Sequence, residues 1–115
     1  MPTTIYHNPK CSKSRQTLEL LKENGITPTV IEYLKTPPTA ETLKVILGQL
    51  GMAPRDLMRK KEDIYTQLKL DKPSLTEDAL IDAMVKHPIL IERPIVLASG
   101  KAALGRPPEQ VLDIL

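Results

Sequence analysis

The sequence predicts a single α/β domain, residues 1–115, built on a mixed β-sheet. A strand, a helix and a second strand fit within about the first 33 residues, and such a unit is normally parallel. The middle of the chain carries helical periodicity, and strand-like segments near the C-terminus flank a tight turn. The length of 115 residues suffices for one hydrophobic core and is too short for two.

The N-terminal third is predicted to form the strand–helix–strand unit. Thr3 to His7 reads as a short strand, and a helix is expected from Ser12 to Asn24. Thr27 to Tyr33 is rich in β-branched and aromatic residues, which favours a second strand. The residues expected on the inner face of the helix are Thr17, Leu18 and Leu21.

Residues 37–87 are predicted to form a helical insertion without a strand. Thr39 is a plausible N-cap, and an apolar stripe at helical spacing follows it. Pro54 is expected to open another helical turn. Thr76 precedes a further helix that should stop at His87, before a proline.

The C-terminal part is predicted to hold a hairpin and a short helix. Ile89 to Ile91 and Ile95 to Ala98 are strand-like, and 99–101 reads as a tight turn into Ala102 to Leu104. Pro107 suits the first turn of a short final helix.

Composition excludes several function classes. Sixteen basic and fourteen acidic residues give a net charge of +2, too balanced for nucleic-acid binding by bulk charge. We find no apolar run approaching the roughly 20 residues that span a bilayer, and no signal peptide. One cysteine cannot form an internal disulfide, so a cytoplasmic location is expected. One cysteine and two distant histidines give no metal-ligand spacing, so no metal site is predicted.

Cys11, the only cysteine, follows the first strand at the entry to the first helix. Unpaired N–H groups at a helix start favour a thiolate and hold oxyanions. Lys10, Lys13 and Arg15 add positive charge nearby. A free thiol pKa of about 8.5 is lowered to about 3.5–7.5 in such settings. The pattern therefore indicates a nucleophilic thiolate beside an anion site.

Three arginines are further candidates: Arg59, and the Arg93-Pro94 and Arg106-Pro107 pairs. A proline restricts the residue before it to extended geometry, which is one way to aim a guanidinium at an oxyanion. Spacing alone does not separate this hypothesis from solvent-exposed arginines. A phosphatase-type cradle is not indicated, because Thr17 occupies the position where it needs an arginine.

Five blocks in order resemble the glutaredoxin-coupled arsenate reductases, specifically the short, less characterised branch of that family. The resemblance covers nearly the whole chain, and the blocks are His7-Asn8-Pro9-Lys10-Cys11-Ser12-Lys13-Ser14-Arg15, Glu32 to Thr39, Leu57-Met58-Arg59-Lys60-Lys61, His87 to Val96, and Gly105-Arg106-Pro107-Pro108-Glu109. The resemblance implies a thioredoxin-like fold with a helical insertion.

The resemblance also implies residue roles. Cys11 attacks arsenate, and the substrate-binding side chains are Arg59, Arg93 and Arg106. His7 and Ser14 would support a low thiol pKa, and Pro94 matches the cis-proline of thioredoxin-like folds. Structural readings stay open for the supporting positions: His7 as a strand-end residue, and Ser14 and Arg15 in capping or solvent-exposed roles.

The implied reaction reduces arsenate to arsenite, with no bound cofactor. Because the chain has one cysteine, glutathione as co-substrate and glutaredoxin as partner must resolve the oxidised intermediate. Two alternatives remain. One is a thiol-dependent reductase of another substrate, such as a related oxyanion. The other is an RNA-polymerase-binding regulator of the same fold, for which Ser14 replaces the second cysteine of a redox pair.

Overall fold

The computed structural model describes residues Thr3–Leu115. The chain divides into two compact units along the sequence. The sheet unit combines the residues up to Thr36 with Arg93–Leu115, and the helical unit is Pro37–Glu92. In the described chain, none of the helices has the length and apolar character needed to cross a membrane.

The sheet unit contains a four-stranded mixed sheet in the order β2-β1-β3-β4. The strands are β1 (Thr3–His7), β2 (Thr29–Glu32), β3 (Ile95–Ala98) and β4 (Lys101–Leu104). β1 pairs parallel with β2 and antiparallel with β3, and β3 pairs antiparallel with β4. The predicted α/β class with a mixed sheet is confirmed, and it is the thioredoxin-like arrangement that the resemblance implies.

Helix α1 (Ser12–Glu23) packs against the sheet through an aliphatic cluster. The four buried residues of this core come from β1, α1, β3 and the C-terminal segment: Ile5, Leu21, Val96 and Val111. Their burial removes aliphatic surface from water, which is the main force holding α1 against the strands. This packing fixes the start of α1 against the end of β1.

The two C-terminal strands form the predicted hairpin. Ser99 and Gly100 connect them with φ angles of 53° and 74°, the left-handed pair that a tight two-residue turn requires. The final helical segment is a 3-10 helix, Pro108–Ile114, which begins one residue later than expected because Pro107 is its extended N-cap.

The helical unit contains α2 (Ala40–Leu50), α3 (Asp63–Gln67) and α4 (Glu77–Lys86). Thr39 is an N-cap as predicted, and Thr76, predicted only to precede a helix, is one too. Their hydroxyls accept from the N–H groups of Thr42 at 3.2 Å and Ala79 at 3.1 Å. The turn that Pro54 opens is a 3-10 helix, Pro54–Leu57.

The prediction of a strand at Ile89–Ile91 is wrong. Pro88–Leu90 is a 3-10 turn, in which Leu90 N–H donates to the His87 carbonyl at 2.9 Å. Ile91 makes only an isolated bridge with Met58. Leu90 and Ile91 are buried within the helical unit, whereas Ile89 is 43% exposed, so the hydrophobicity of this run reflects burial at two positions and not strand pairing. Glu92 is the last residue of the helical unit.

Candidate active site

Cys11 is the N-cap of α1, with extended backbone angles of φ −94° and ψ 125°. Its N–H donates to the Asn8 carbonyl at 3.0 Å, and its own carbonyl accepts the first helical bond, from Arg15 N–H, at 3.0 Å. The thiol is therefore held at the positive end of the helix. The first turn of α1 contains no acidic residue that would oppose a negative charge there.

Partial burial alone raises the pKa of the Cys11 thiol, but several donors more than offset it. The backbone N–H of Ser14, the guanidinium of Arg93 and the backbone N–H of Lys13 favour the thiolate. The net pKa is lowered from its ordinary value. The structure thus supplies the physical cause for the reactive thiol that the sequence predicts.

His7 and Ser14 form a buried pair beneath the Cys11 loop. His7 Nδ1 and Ser14 Oγ lie 2.6 Å apart, and the Ser14 hydroxyl also accepts from Asn8 N–H at 3.0 Å. Burial, partly opposed by the charge of Glu32, lowers the pKa of His7 and favours its neutral form. The pair ties the end of β1 to the first turn of α1.

The loop between β1 and α1 is braced by side chains at both of its ends. Arg15 Nη1 donates to the Pro9 carbonyl at 2.9 Å, and Asn8 Oδ1 accepts from Lys10 N–H at 3.0 Å. The guanidinium of Arg15 is thus engaged by the loop backbone. Asn8 has a bracing role that sequence reasoning did not assign, although an asparagine before a proline in a short loop is a turn signal.

Arg93 presents the clearest anion-binding group of the sheet unit. Its Nε and Nη1 atoms are buried, and they have no hydrogen-bond partner within Thr3–Leu115. Buried guanidinium donors without partners are costly to leave unsatisfied. An oxyanion bound at this position would satisfy both donors with the bidentate geometry that arginine favours.

Arg106 lies beside both Arg93 and the thiol. Its Nε donates to the Arg93 carbonyl at 2.8 Å, and its Nη2 lies 3.9 Å from Cys11 Sγ. The peptide bonds of Arg93-Pro94 and Arg106-Pro107 are both cis. The cis form at Pro94 is the one that the family resemblance implies, whereas the second cis bond was not foreseen.

Gly105 is a site residue that sequence reasoning missed. Its N–H donates to the Pro94 carbonyl at 3.0 Å. A Cβ at this position would clash with the Thr17 hydroxyl and would lie 2.7 Å from Cγ of Pro94. Only glycine therefore fits here between Thr17 of α1 and Pro94. A glycine directly before one of the candidate arginines was the available signal.

Arg59 lies in the helical unit, and carboxylates there already engage it. Its Nε donates to Glu62 Oε2 at 3.2 Å and its Nη1 donates to Glu92 Oε1 at 3.0 Å. Partial burial alone lowers the pKa of Arg59, but these carboxylates more than offset it and keep the side chain cationic. Arg59 thus differs from Arg93, whose buried donors lack such partners within the described chain.

The sheet unit therefore brings together seven of the eight predicted site residues, and Arg59 belongs to the other unit. The seven are His7, Cys11, Ser14, Arg15, Arg93, Pro94 and Arg106. Across residues 3–115, no group of three or more His, Cys, Asp or Glu side chains is placed to hold a metal ion. The arrangement places a thiol of lowered pKa beside the guanidinium groups of Arg93 and Arg106.

Comparison with known proteins places this geometry in context. The ArsC family matches residues 6–114. The chain is 62% identical to the uncharacterized Escherichia coli K12 protein YfgD over 96% of this chain and 94% of that protein. It is 54% identical to an arsenate reductase of Neisseria meningitidis over 96% of each chain. An arsenate reductase structure from Vibrio cholerae superposes with a TM-score of 0.98, 57% identity, and coverage of 100% and 98%.

Proposed function

The chain belongs to the ArsC family, and on that premise we propose that it reduces arsenate to arsenite, with glutathione and glutaredoxin supplying the electrons. One observation carries the proposal. The Cys11 thiolate lies at a helix start, 3.9 Å from the Arg106 guanidinium and beside Arg93, whose buried Nε and Nη1 have no partner among the described residues.

The first step joins substrate to protein. The Cys11 sulfur attacks arsenic, a sulfur–arsenic bond forms, and one arsenate oxygen leaves as water after protonation. Arg93 and Arg106 neutralise the remaining arsenate oxygens, so the anionic nucleophile and the anionic substrate can approach. The lowered pKa of Cys11 increases the fraction of the sulfur that is in its attacking thiolate form.

The second step transfers two electrons from thiols to arsenic. Glutathione attacks the adduct, and arsenic(V) becomes arsenic(III) as two thiols are oxidised to one disulfide. Because the chain has one cysteine, it cannot supply both thiols. Glutaredoxin reduces the disulfide between Cys11 and glutathione by thiol–disulfide exchange, and glutathione then reduces glutaredoxin.

Further expectations of the sequence belong to the same proposal. Arg59 is assigned a substrate-binding role by the resemblance, and this requires it to exchange a carboxylate partner for the oxyanion. His7, Ser14 and Arg15 support the thiolate by holding the Cys11 loop. The reaction needs no resident cofactor or metal, and its need for reduced thiols fits the cytoplasm.

The test is NADPH-coupled arsenate reduction with glutathione, glutaredoxin and glutathione reductase. We expect turnover in the wild type and its loss in Cys11→Ser, because serine keeps the N-cap geometry but is a far weaker nucleophile. Circular dichroism of both proteins checks that the fold is retained. Turnover in Cys11→Ser contradicts the proposed nucleophile. A wild type that forms a reactive thiolate but does not reduce arsenate contradicts arsenate as substrate.

A further inference from the structure

A groove of about 220 Å³ lies in the sheet unit beside the loop that carries Cys11. One wall is the end of β1 and its following loop, including His7 and Lys10, and the other comes from the end of β2, including Glu32, Leu34 and Lys35. Lys10 directly precedes the nucleophile. The reaction proposed above gives no role to the side chains of Lys10, Glu32, Leu34 and Lys35.

The charged groups of the groove have a specific layout. Lys10 is exposed on the Cys11 side. Across the groove, Lys35 Nζ lies 3.6 Å from Glu32 Oε1, with the two side chains 78% and 42% exposed. An exposed pair of this kind contributes little to stability, so both groups can take a ligand at small cost. The groove offers two separated cations and one anion adjacent to the second cation.

We propose that this groove binds glutathione, the thiol that must reach the arsenic adduct on Cys11; the inference rests on the proposed function. Glutathione carries a carboxylate at its glycine end and a carboxylate plus an ammonium on one carbon at its γ-glutamyl end. These groups complement Lys10 at one end and the Lys35–Glu32 pair at the other.

The orientation follows from reach. The glycine carboxylate is separated from the cysteine of glutathione by fewer bonds than the γ-glutamyl carboxylate is. Lys10, next to Cys11, therefore holds the glycine carboxylate, and the Glu32–Lys35 pair holds the more distant γ-glutamyl end. The ammonium then binds Glu32 and the adjacent carboxylate binds Lys35.

Leu34 supplies the apolar part of this site. Its side chain is 44% exposed and lines the groove. In the sequence, Leu34 lies between Glu32 and Lys35, the two charged residues of the same wall. The γ-glutamyl arm contains two methylene groups, whose contact with Leu34 would remove apolar surface of both from water. A small thiol without this arm would gain neither this contact nor the charge pairing.

The test measures formation of the Cys11–glutathione disulfide from oxidised glutathione, in which the Cys11 thiolate attacks one sulfur and the other glutathione leaves as its thiolate. Mass spectrometry gives the second-order rate without arsenate. Two control disulfides are reacted in the same way. The neutral hydroxyethyl disulfide measures the intrinsic reactivity of the Cys11 thiolate, and the anionic 3,3′-dithiodipropionate measures how strongly the groove attracts any anion. Failure of arsenate reduction therefore cannot be confused with failure of this inference.

We expect Lys10→Gln, Lys35→Gln and Glu32→Gln each to slow the reaction with oxidised glutathione by roughly twofold to fivefold, after normalisation to hydroxyethyl disulfide. Lys101→Gln, in the hairpin, is the matched control and should leave the rate unchanged. Glu32→Gln is the decisive variant, because general attraction predicts a faster reaction with both anionic disulfides.

The inference is overturned if Glu32→Gln accelerates the reaction with oxidised glutathione as it does that with dithiodipropionate, since the groove would then act only through net charge. It is also overturned if the variants slow all three disulfides equally, because the effect would then lie in the reactivity of Cys11. Unchanged rates in all groove variants would place glutathione elsewhere.

Discussion

Arg93 in the sheet unit and Arg59 in the helical unit differ in how many hydrogen-bond partners their guanidinium groups have. Arg93 has two buried nitrogen atoms without partners in the described chain, whereas Arg59 donates to Glu62 and Glu92 at 3.2 and 3.0 Å. Guanidinium nitrogens without partners gain hydrogen bonds when an oxyanion binds, while nitrogens that are already paired must first lose theirs. The comparison shows that two arginines from the same family pattern can differ in the hydrogen bonds that they must give up before they bind an oxyanion.

The largest expected effect separates these two arginines. We predict that Arg93→Lys lowers kcat/KM for arsenate by about 100-fold, because lysine keeps the charge but lacks the bidentate fork. Arg59→Lys should cause a smaller loss, since two carboxylates already occupy that guanidinium. Steady-state kinetics with varied arsenate measures both. Equal losses would mean that Arg59 gives up its carboxylates to substrate and that the contrast does not hold.

A second comparison between the two units concerns the effect of glycine-to-alanine substitutions on the free energy of unfolding. Gly105 in the sheet unit has no room for a Cβ, and we predict that Gly105→Ala lowers the free energy of unfolding by about 1–3 kcal/mol. Gly48 lies on an exposed face of α2 with open space around it, so Gly48→Ala should raise that free energy by about 0.5–1 kcal/mol. Urea unfolding of both variants checks the signs. A neutral Gly105→Ala would contradict the tight approach of α1 to Pro94.

The smallest expected effect concerns the contribution of Arg93 to the lowered pKa of Cys11. Because the pKa of Cys11 is lowered, its thiolate persists to lower pH than in an ordinary cysteine, and alkylation by iodoacetamide should fall only as pH drops through this lowered pKa. Arg93→Gln removes one cause, so we expect the midpoint of the rate–pH profile to move upward. Lys101→Gln serves as the control. An unmoved midpoint in Arg93→Gln would assign the lowered pKa to the helix N–H groups alone.

Prediction from sequence was most successful where the cause is local. The N-cap Thr39, the hairpin turn at Ser99-Gly100, and the placement of Cys11 at the start of α1 all depend on neighbouring residues. Prediction failed at Ile89–Ile91, where an apolar run signals burial in a strand and in a 3-10 turn equally well. Whether such a run pairs as a strand or packs as a turn depends on residues far away in the sequence, and a local pattern does not contain them.

The sequence by itself determined most of the helices and strands, the cysteine at the start of α1 and the three candidate arginines, because side-chain chemistry, capping and periodicity act over a few residues. The tertiary structure alone decided how these groups are used. It brought Arg106 to Cys11 across 95 positions, left Arg93 donors unpaired among the described residues and surrounded Arg59 with carboxylates. Those outcomes depend on contacts between residues far apart in the chain, which are set only when the core packs.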